Sequence, residues 1–395
     1  MKYDYGDPNR GFGFEHCNFF ESLRRMGHDI VYFDFLTLMD KYGRDEMNRR
    51  LIEVARSEKP DVMFTVLYEE QLCREAVRSI SESGTTQTVN WFCDDHWRFE
   101  SFSQHWAPCF NWVISTSASA LPKYERIGYA NVIKSQYACN HFSYHKLDLP
   151  KKYDVTFVGQ PHSNRRLIVE SLRERGFNVN AWGHGWETGR LTQEEMIEVF
   201  NQSRINLNLT KTSSRGHVDP AEQPLEPWGG RFKQAAFQSS KRVLNHVPFG
   251  RQFKGLVKQA IGWDAASPSG VATAVQPEVQ WDTFPDQIKG RNFEIPACGG
   301  FALTGLAENL EDYYSLGSEV VCYGDVDDMA SVIQEYLEDD DKREAIAQAG
   351  YRRTLSEHTY VHRFAEIFRQ MGLGDTDVAA AVAGKVAAGQ VEEIQ

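Results

Sequence analysis

The stretch that decides the fold runs from Asp154 to Leu172 and reads DVTFVG, then QPHSN, then RRLIVESL. Its first part is an apolar, β-rich run, its second part is a polar turn, and its third part has the spacing of an amphipathic helix. This succession of strand and helix recurs along most of the chain, which is typical of a parallel sheet with helices between its strands. We therefore predict an α/β protein.

Two series of strand candidates lie on either side of a short polar hinge at 147–152 that contains Pro150. The first series is His28–Phe35, Asp61–Leu67, Gln87–Cys93, Phe110–Thr116 and Asn131–Gln136. The second series is Asp154–Val158, Asn178–Trp182, Arg204–Leu209, Phe301–Thr304 and Glu319–Tyr323. Each series predicts one Rossmann-like domain, although the chain opens with the polar sequence KYDYGDPNRGFG where such a domain normally has a buried first strand.

The predicted boundaries follow from these two series. We expect a first domain at 1–148, a second domain at 149–358 with a helical insertion at about 211–284, a helix at 359–373 that crosses back to the first domain, and a flexible tail at 374–395.

Composition narrows the class of protein. The chain has 395 residues, and its 41% hydrophobic and 12% aromatic content can fill two cores. Lys and Arg total 43 against 55 Asp and Glu, and the net charge of −12 argues against general coating of nucleic acid. Seven cysteines without a CxxC pair favour neither a disulfide framework nor a zinc knuckle. Neither a signal sequence nor a membrane span is recognisable, so the expectation is a cytoplasmic enzyme.

The block IKGRNFEIPACGGF at 288–301 has the features of a nucleotide site. Glu294 lies among apolar residues, and a carboxylate suits the two hydroxyls of a ribose. Lys289 and Arg291 can offset the charge of phosphates. Gly299 and Gly300 allow a close backbone approach after a helix. A capping or salt-bridged acid is the structural alternative for Glu294.

The turn after the first strand of the second domain predicts an anion site. The helix that begins at Arg165 starts at the carboxyl end of a strand, where its N–H groups favour a pyrophosphate and Arg165 can assist. Gly183 and His184 follow the next strand and should face the same cleft, where a base could stack on Trp186 or bond to the backbone. A solvated arginine and a buried tryptophan in a tight turn are the plainer alternatives.

Two further segments belong to the first domain. Arg10, Gly11 and Gly13 precede a helix, and a glycine-rich entry to a helix can face donor phosphates, although an ordinary turn explains it equally well. Asp94 and Asp95 follow a strand and should lie at the rim of the cleft. The paired aspartates could bind a metal ion, contact an acceptor or sugar, or cap a helix.

The region Lys211–Trp263 is basic in an otherwise acidic chain, with nine Lys and Arg residues against three acids. An apolar helical stripe from Phe249 to Ile261 makes part of it a basic amphipathic helix. It could be a helical cap on the second domain, or a platform for an anionic acceptor such as a lipid headgroup, a polysaccharide or DNA.

The chain resembles the CgeB-like glycosyltransferases, a group of retaining enzymes with the GT-B fold. The resemblance rests on the 288–301 block and on YDYGDPNRGFG at 3–13, WFCDDHWRF at 91–99, residues 154–166, 205–210, 319–323 and 357–360. It implies two facing Rossmann-like domains with a cleft between them, the first on the acceptor side and the second holding a nucleotide sugar, with UDP the expected nucleotide.

The resemblance also implies roles for individual residues. Glu294 matches the second, ribose-binding acid of a Glu-x7-Glu motif, and Asp286 takes the first position, where aspartate departs from the pattern. Enzymes of this group stabilise the leaving diphosphate with basic groups rather than metal, so no metal ligands are expected and Asp95 is assigned to acceptor or sugar contacts.

The function predicted from the sequence is transfer of a sugar from a nucleotide donor to a hydroxyl, with Asp286, Glu294 and Asp95 as candidate catalytic residues. The acceptor is a glycan, a glycolipid or a hydroxylated base in DNA. A nucleotide-sugar epimerase and a non-catalytic sugar-binding protein are the alternatives, because both can use the same scaffold.

Overall fold

Two parallel β-sheets form the framework of the protein in the computed structural model, which describes residues 2–67, 69–210 and 287–374. The first sheet contains the strands β1 Val62–Thr65, β2 Gln87–Phe92, β3 Trp112–Ser115 and β4 Val132–Lys134. The second sheet contains β5 Tyr153–Val158, β6 Val179–Trp182, β7 Ser203–Asn208, β8 Ala302–Gly305 and β9 Val321–Tyr323.

Helices connect these strands along the described ranges. The α-helices are α1 Glu21–Arg25, α2 Phe35–Tyr42, α3 Arg44–Glu58, α4 Arg74–Ser81, α5 Asp95–Arg98, α6 Gln104–Trp106, α7 Leu121–Arg126, α8 Arg165–Glu174, α9 Gln193–Gln202, α10 Arg291–Ala297, α11 Val326–Glu338, α12 Asp340–Glu357 and α13 Tyr360–Gln370. None of the helices in the described ranges has the length and apolar composition needed to cross a membrane.

The first sheet has the order β1-β2-β3-β4, with every pair of neighbours parallel. Successive side chains of a strand point to opposite faces, and both faces of this sheet are buried. Phe92 and Val113 belong to one apolar cluster, whereas Trp91 and Ile114 belong to another. Helix α13 contributes Phe364 to the second of these clusters. A sheet that is covered on both faces requires strands with unbroken runs of apolar residues.

The second sheet has the order β6-β5-β7-β8-β9 and is also parallel throughout. The chain first adds β6 on one side of β5 and then places β7 on the other side. This reversal creates a topological switch point between β5 and β7, and ligands of open α/β sheets bind outside the carboxyl ends of the strands at such a point.

The prediction of a strand at His28–Phe35 is wrong. Residues 28–34 belong to no helix or strand, and Phe35 begins α2. A cavity of about 1300 Å³ is lined both by this segment and by β1, and among the described strands β1 pairs with β2 alone. An apolar run becomes a strand only when a neighbouring strand pairs with it through hydrogen bonds. The sequence of the run does not show whether such a neighbour is present.

His358 lies in a buried aromatic setting just before α13. Its Nε2–H donates to the carbonyl oxygen of Tyr313 at 2.6 Å, and the rings of Phe293 and Tyr314 lie within 5.7 Å of the imidazole. Burial, assisted by the nearby charge of Arg363, lowers the pKa of His358 to about 3.

This shift predicts a loss of stability in acid. Between an unfolded pKa of about 6.5 and the lowered pKa of the native state, only the unfolded chain binds the proton, so stability falls as the pH falls through that window. We expect His358 alone to lower the free energy of unfolding by about 2 kcal/mol between pH 7 and pH 5. Urea unfolding at both pH values should show a smaller pH dependence for His358→Asn. The exposed His145 provides the control, and an equal pH dependence in His145→Asn and His358→Asn would contradict the assignment.

Candidate functional site

The sequence-predicted residues of the second domain meet at the carboxyl end of β5. Helix α8 begins here with Arg165, and α10 passes close enough for Arg291 Nε to donate to the carbonyl oxygen of Val158, at 3.4 Å. Gly183 and His184 follow β6, the neighbouring strand on the other side. Residues from three separate segments therefore converge next to the switch point.

Glu294 and Arg291 form a buried ion pair on α10. The Glu294 side chain is 0% exposed, and its Oε2 accepts from the Arg291 guanidinium. Its other oxygen, Oε1, is buried and has no hydrogen-bond partner among the described residues. Burial lowers the pKa of Arg291. The pair thus neutralises the carboxylate inside the protein.

Gly290 brings the first half of the chain against this pair. A Cβ atom at Gly290 would lie 3.0 Å from the ring of Phe14 and 3.2 Å from Glu294 Oε1. Any larger residue would have to displace the ring or the carboxylate. The helix that carries Glu294 therefore begins in contact with the segment that follows the glycine-rich turn at the amino terminus.

A buried amide network anchors the amino terminus of α10. Asn292 Nδ2 donates to the hydroxyl of Thr304 at 3.0 Å, while Asn292 Oδ1 accepts from Asn208 Nδ2 at 2.8 Å and from the backbone N–H of Lys289 at 2.9 Å. These bonds tie α10 to β7 and β8, and they fix where Glu294 and Arg291 lie. Sequence reasoning missed the network, because nothing near Asn292 in the sequence indicates that it bonds to side chains of β7 and β8.

The turns after β5 and β6 are packed against each other. Trp186 is buried and donates its indole N–H to the carbonyl oxygen of Gly159 at 2.8 Å, so its ring fills the turn and is not open to a base. A Cβ at Gly183 would lie 2.3 Å from the same oxygen, which explains the glycine. His184 is exposed, and Arg165 donates to the carbonyl of Gln160 at 3.2 Å. Trp186 therefore fits the simpler alternative drawn from the sequence, a buried tryptophan in a tight turn.

The glycine-rich amino-terminal segment is joined to the second half by an acid between two cations. Asp4 Oδ2 accepts from Arg10 Nε at 3.0 Å and from an N–H of Arg190, which follows β6, at 2.9 Å. Gly11 has a φ of 76°, a backbone conformation that favours glycine. Gly13 donates its N–H to the carbonyl of Lys2 at 2.9 Å. The structure thus places Arg10, Gly11 and Gly13 in a turn held against the second half.

Asp94 and Asp95 are adjacent in sequence and have different environments. Asp94 Oδ1 lies 3.7 Å from Lys289 Nζ, so it meets a cation of the donor block. Asp95 is 0% exposed, and its oxygens accept from the hydroxyls of Ser103 at 2.5 Å and Tyr124 at 2.8 Å. Burial raises the pKa of Asp95. This buried network favours a structural role for Asp95 over the acceptor or sugar contact expected from the sequence.

Glu308 makes a further contact between the halves, and sequence reasoning missed it. It follows β8, and its carboxylate accepts from the backbone N–H of Ser119 at 3.1 Å and from the hydroxyls of Ser117 and Ser119 at 3.4 Å. These serines belong to the loop and 3₁₀ turn ahead of α7. A carboxylate of the second half thereby caps a helical turn of the first half.

Two elements of the predicted site cannot be placed. Asp286 and the basic region 211–263 with its neighbours to 284 lie outside the described residues. Within the described ranges, no group of three or more His, Cys, Asp or Glu side chains is arranged to hold a metal ion.

Comparisons with known proteins agree with this architecture. The model of a family described as glycosyl transferase-like matches residues 164–229 and 235–369, slightly more than half of the chain. No curated protein matches the chain in sequence. Among solved structures, sucrose-phosphate synthase from Thermosynechococcus elongatus is 9% identical with a TM-score of 0.50, over 87% of this chain and 82% of that one.

Two further solved structures are more distant in shape. HepE from Anabaena, in complex with UDP and glucose, is 11% identical with a TM-score of 0.48, over 94% of this chain and 89% of that one. A glycosyltransferase from Rickettsia africae is 7% identical with a TM-score of 0.46, over 95% and 88%. The likeness to the synthase shows the fold, and the predicted GT-B arrangement of two Rossmann-like halves is confirmed.

The buried network around Asp95 yields a test of its role. Asp95→Asn and Tyr124→Phe each disrupt one hydrogen bond of the network, and each should lower the free energy of unfolding by about 1–3 kcal/mol. Both variants should keep the rate of sugar transfer within about threefold, since neither residue touches α10. Urea unfolding and a transfer assay measure the two quantities. If Asp95→Asn unfolds like the wild type and still loses sugar transfer, Asp95 contacts substrate after all.

Proposed function

The chain belongs to the glycosyl transferase-like family, and from that premise we propose that it transfers a sugar from a nucleoside diphosphate to a hydroxyl group. The observation that carries the proposal is the buried Glu294 beside the switch point, with one oxygen paired to Arg291 and the other without a hydrogen-bond partner among the described residues. A hydroxyl-rich ligand such as ribose would supply the donors that this oxygen lacks.

The donor occupies the carboxyl ends of β5 and β7 in this proposal. Its ribose hydroxyls donate to Glu294 Oε1, and its diphosphate meets the N–H groups at the start of α8. Arg165 and Lys289 contribute positive charge, and the backbone at Gly183 and His184 borders the nucleotide. Arg10, Gly11 and Gly13 approach the diphosphate from the first half. Asp286 remains a candidate catalytic residue on the sequence resemblance alone.

The reaction separates charge, and the proposed site is built to stabilise that separation. The bond between the anomeric carbon and the diphosphate oxygen breaks with its electron pair on the oxygen, and the acceptor oxygen forms the new bond to carbon. The hydroxyl proton leaves to the diphosphate. Preorganised cations and amide dipoles lower the energy of the developing diphosphate charge, as in other electrostatically assisted transfers. Retention at the anomeric carbon and membership of the CgeB-like group are part of the proposal and rest on the sequence resemblance.

The two halves have different tasks in the proposed enzyme. Residues 149–358 hold the donor, residues 1–148 present the acceptor, and the helix at 359–373 joins the second domain back to the first. The basic region at 211–263 would bind an anionic carrier of the acceptor hydroxyl, whether a glycan, a glycolipid or DNA.

Mass spectrometry of a nucleotide-sugar panel tests the reaction class. Incubation of the protein with the panel and candidate acceptors should yield a product heavier by one sugar residue. Conversion of a donor to an isomer in the absence of acceptor would instead indicate an epimerase. Binding of a nucleotide sugar without either reaction would indicate a non-catalytic sugar-binding protein.

The role of Glu294 makes a prediction about affinity. Glu294→Ala should weaken UDP binding by about 1–3 kcal/mol, the scale of hydrogen bonds to a charged group. Glu294→Gln keeps the size and one oxygen acceptor and should lose less. Glu311, an exposed acid of the same half, provides the matched control in Glu311→Ala. Calorimetry that finds wild-type UDP affinity in a folded Glu294→Ala protein would end the assignment.

The proposed use of side-chain cations makes a prediction about metal. Because Arg165, Lys289 and the N–H groups at the start of α8 can stabilise the diphosphate charge, treatment with EDTA should leave sugar transfer essentially unchanged. Transfer rates are compared before and after chelation and dialysis. Loss of transfer with recovery on adding magnesium or manganese would contradict this and would make Asp94 a candidate ligand.

A further inference from the structure

The cavity of about 1300 Å³ beside β1 meets the edge of the first sheet rather than one of its faces. Successive residues of a strand point to opposite faces, so a cavity on one face would meet every second residue. This cavity is lined by the five successive residues 62–66 and, opposite them, by the six successive residues 28–33. It is therefore a slot between two stretches of backbone, and we call it the edge slot.

Helices close the two other sides of the edge slot. The helical segment 14–25 contributes Phe19 and helix α13 contributes Phe368, and both side chains belong to the apolar cluster on one face of the first sheet. Helix α3 contributes Leu51 and Ala55, which belong to the cluster on the opposite face. A sheet between two layers of helices is the architecture of a doubly wound domain. The edge slot thus has the position of a strand within the sheet.

Apolar side chains along the edge slot are only partly covered. All four residues of β1 are half-buried, whereas Val89 and Trp91 of the neighbouring β2 are 0% exposed. Across the slot, Val31 and Tyr32 are 48% and 40% exposed. Strands of a parallel sheet are normally covered on both faces, and a contiguous apolar patch marks a place where another segment binds.

The strand order of the first sheet indicates the same position. Its strands follow one another in chain order, β1-β2-β3-β4, so the sheet grows in one direction only. A doubly wound domain instead adds strands on one side of its first strand and then crosses to the other side. One strand in the edge slot, with residues 28–33 beyond it, would give the first sheet this order. Its switch point would then lie between that strand and β1.

The helical segment 14–25 indicates where such a strand belongs in the chain. The segment lines the edge slot and leads after two residues into residues 28–33 on its far side. A helix between two neighbouring parallel stretches is a βαβ unit, in which the first strand precedes the helix. The turn directly ahead of this helix is not that strand, since Tyr3 pairs with Phe12 in an isolated antiparallel bridge. The strand therefore belongs on the amino-terminal side of this turn.

Lys2 lies near the carboxyl end of the edge slot. Its carbonyl oxygen accepts from the N–H of Gly13 at 2.9 Å, two residues before Glu15. Glu15 lines the edge slot and also a second cavity of about 290 Å³, which Val66 and Leu67 line directly after β1. A segment that leads out of the slot into Lys2 would therefore run toward the carboxyl end of β1 and parallel to it.

We propose that the edge slot takes one further β-strand, an apolar segment of about six residues that runs parallel to β1 and is continued by residues 1–2. The backbone edges of β1 and of residues 28–33 pair with it on its two sides. Because helices cover both faces, its side chains form an unbroken run of Val, Ile and Leu. The strand completes the first sheet and creates its switch point.

Two chains extended at the amino terminus provide the test. One carries the segment KIVVLG ahead of residue 1, and the other carries KIPVPG, whose prolines lack the N–H groups that a central strand needs. Amide hydrogen exchange at 62–65 and 28–33 should be at least about tenfold slower with KIVVLG than with KIPVPG. The midpoint of urea unfolding should rise with KIVVLG only. Equal exchange in the two chains would overturn the proposal.

Two variants of the KIVVLG chain locate the added strand. Val54→Trp places a large ring in the edge slot and should remove most of the slowed exchange. Ile52→Trp, at a half-buried position of the same helix that does not line the slot, should keep it. Unchanged exchange in β5 and β7 of the second sheet shows that both variants are folded. Equal effects of the two substitutions would place the added segment elsewhere and overturn the proposal.

The source of the strand is tested on chains without an extension. The intact mass of the protein isolated from its own cells should exceed that of the 395 residues by at least about six residues, and an equal mass would overturn the assignment. The run VAAAVA at 378–383 is a competing occupant, although alanine is a poor strand former. Faster exchange at β1 after deletion of 375–395 would favour that run.

A second copy of the chain is the remaining occupant. Exchange at β1 should not depend on protein concentration, and slower exchange at higher concentration would assign the edge slot to a strand from another copy. Either competing result would overturn the proposal. Sugar transfer enters none of these measurements, so their failure would leave the proposed function standing.

Discussion

The buried ion pair between Glu294 and Arg291 is the interaction on which the site depends. A carboxylate without solvent contact costs several kcal/mol unless a cation and hydrogen bonds compensate it. One turn of α10 supplies both partners, and Arg291 also reaches the carbonyl of Val158 at the end of β5. The pair therefore neutralises the acid and at the same time holds α10 at the switch point of the second sheet.

The rest of the site is arranged so that this pair stays in place. Asn208, Asn292 and Thr304 satisfy one another inside the core, and a buried polar network of this kind is stable only when its members keep one arrangement. Gly290 then permits the close approach of Phe14 from the first half. Helix α10 is short and has a proline in its last turn. The amide network, the contact with Phe14 and the ion pair together hold it in place.

The two halves meet through charged and polar side chains next to the site. Asp4 with Arg190, Asp94 with Lys289 and Glu308 with Ser119 each join residues that lie far apart in the sequence. Most of these side chains keep partial exposure, so each contact contributes little by itself. Through the contact of Asp94 with Lys289, the donor block of the second half lies beside the carboxyl end of β2 in the first half.

The sequence by itself determined the alternation of strands and helices and the block that forms α10. These are local properties, because the hydrophobic period and the positions of glycine and proline are set by residues near one another. It predicted nine of ten strands within a few residues, and Glu294 and Arg291 of the predicted block form an ion pair.

Only the tertiary structure decided the direction and the partners of individual side chains. Asp94 and Asp95 look equivalent in the sequence, yet one meets Lys289 and the other is bonded to Ser103 and Tyr124 inside the core. The run at 28–34 has strand character but lacks a strand beside it. A hydrogen bond needs a partner from elsewhere in the chain, and no local pattern records which residue will be there.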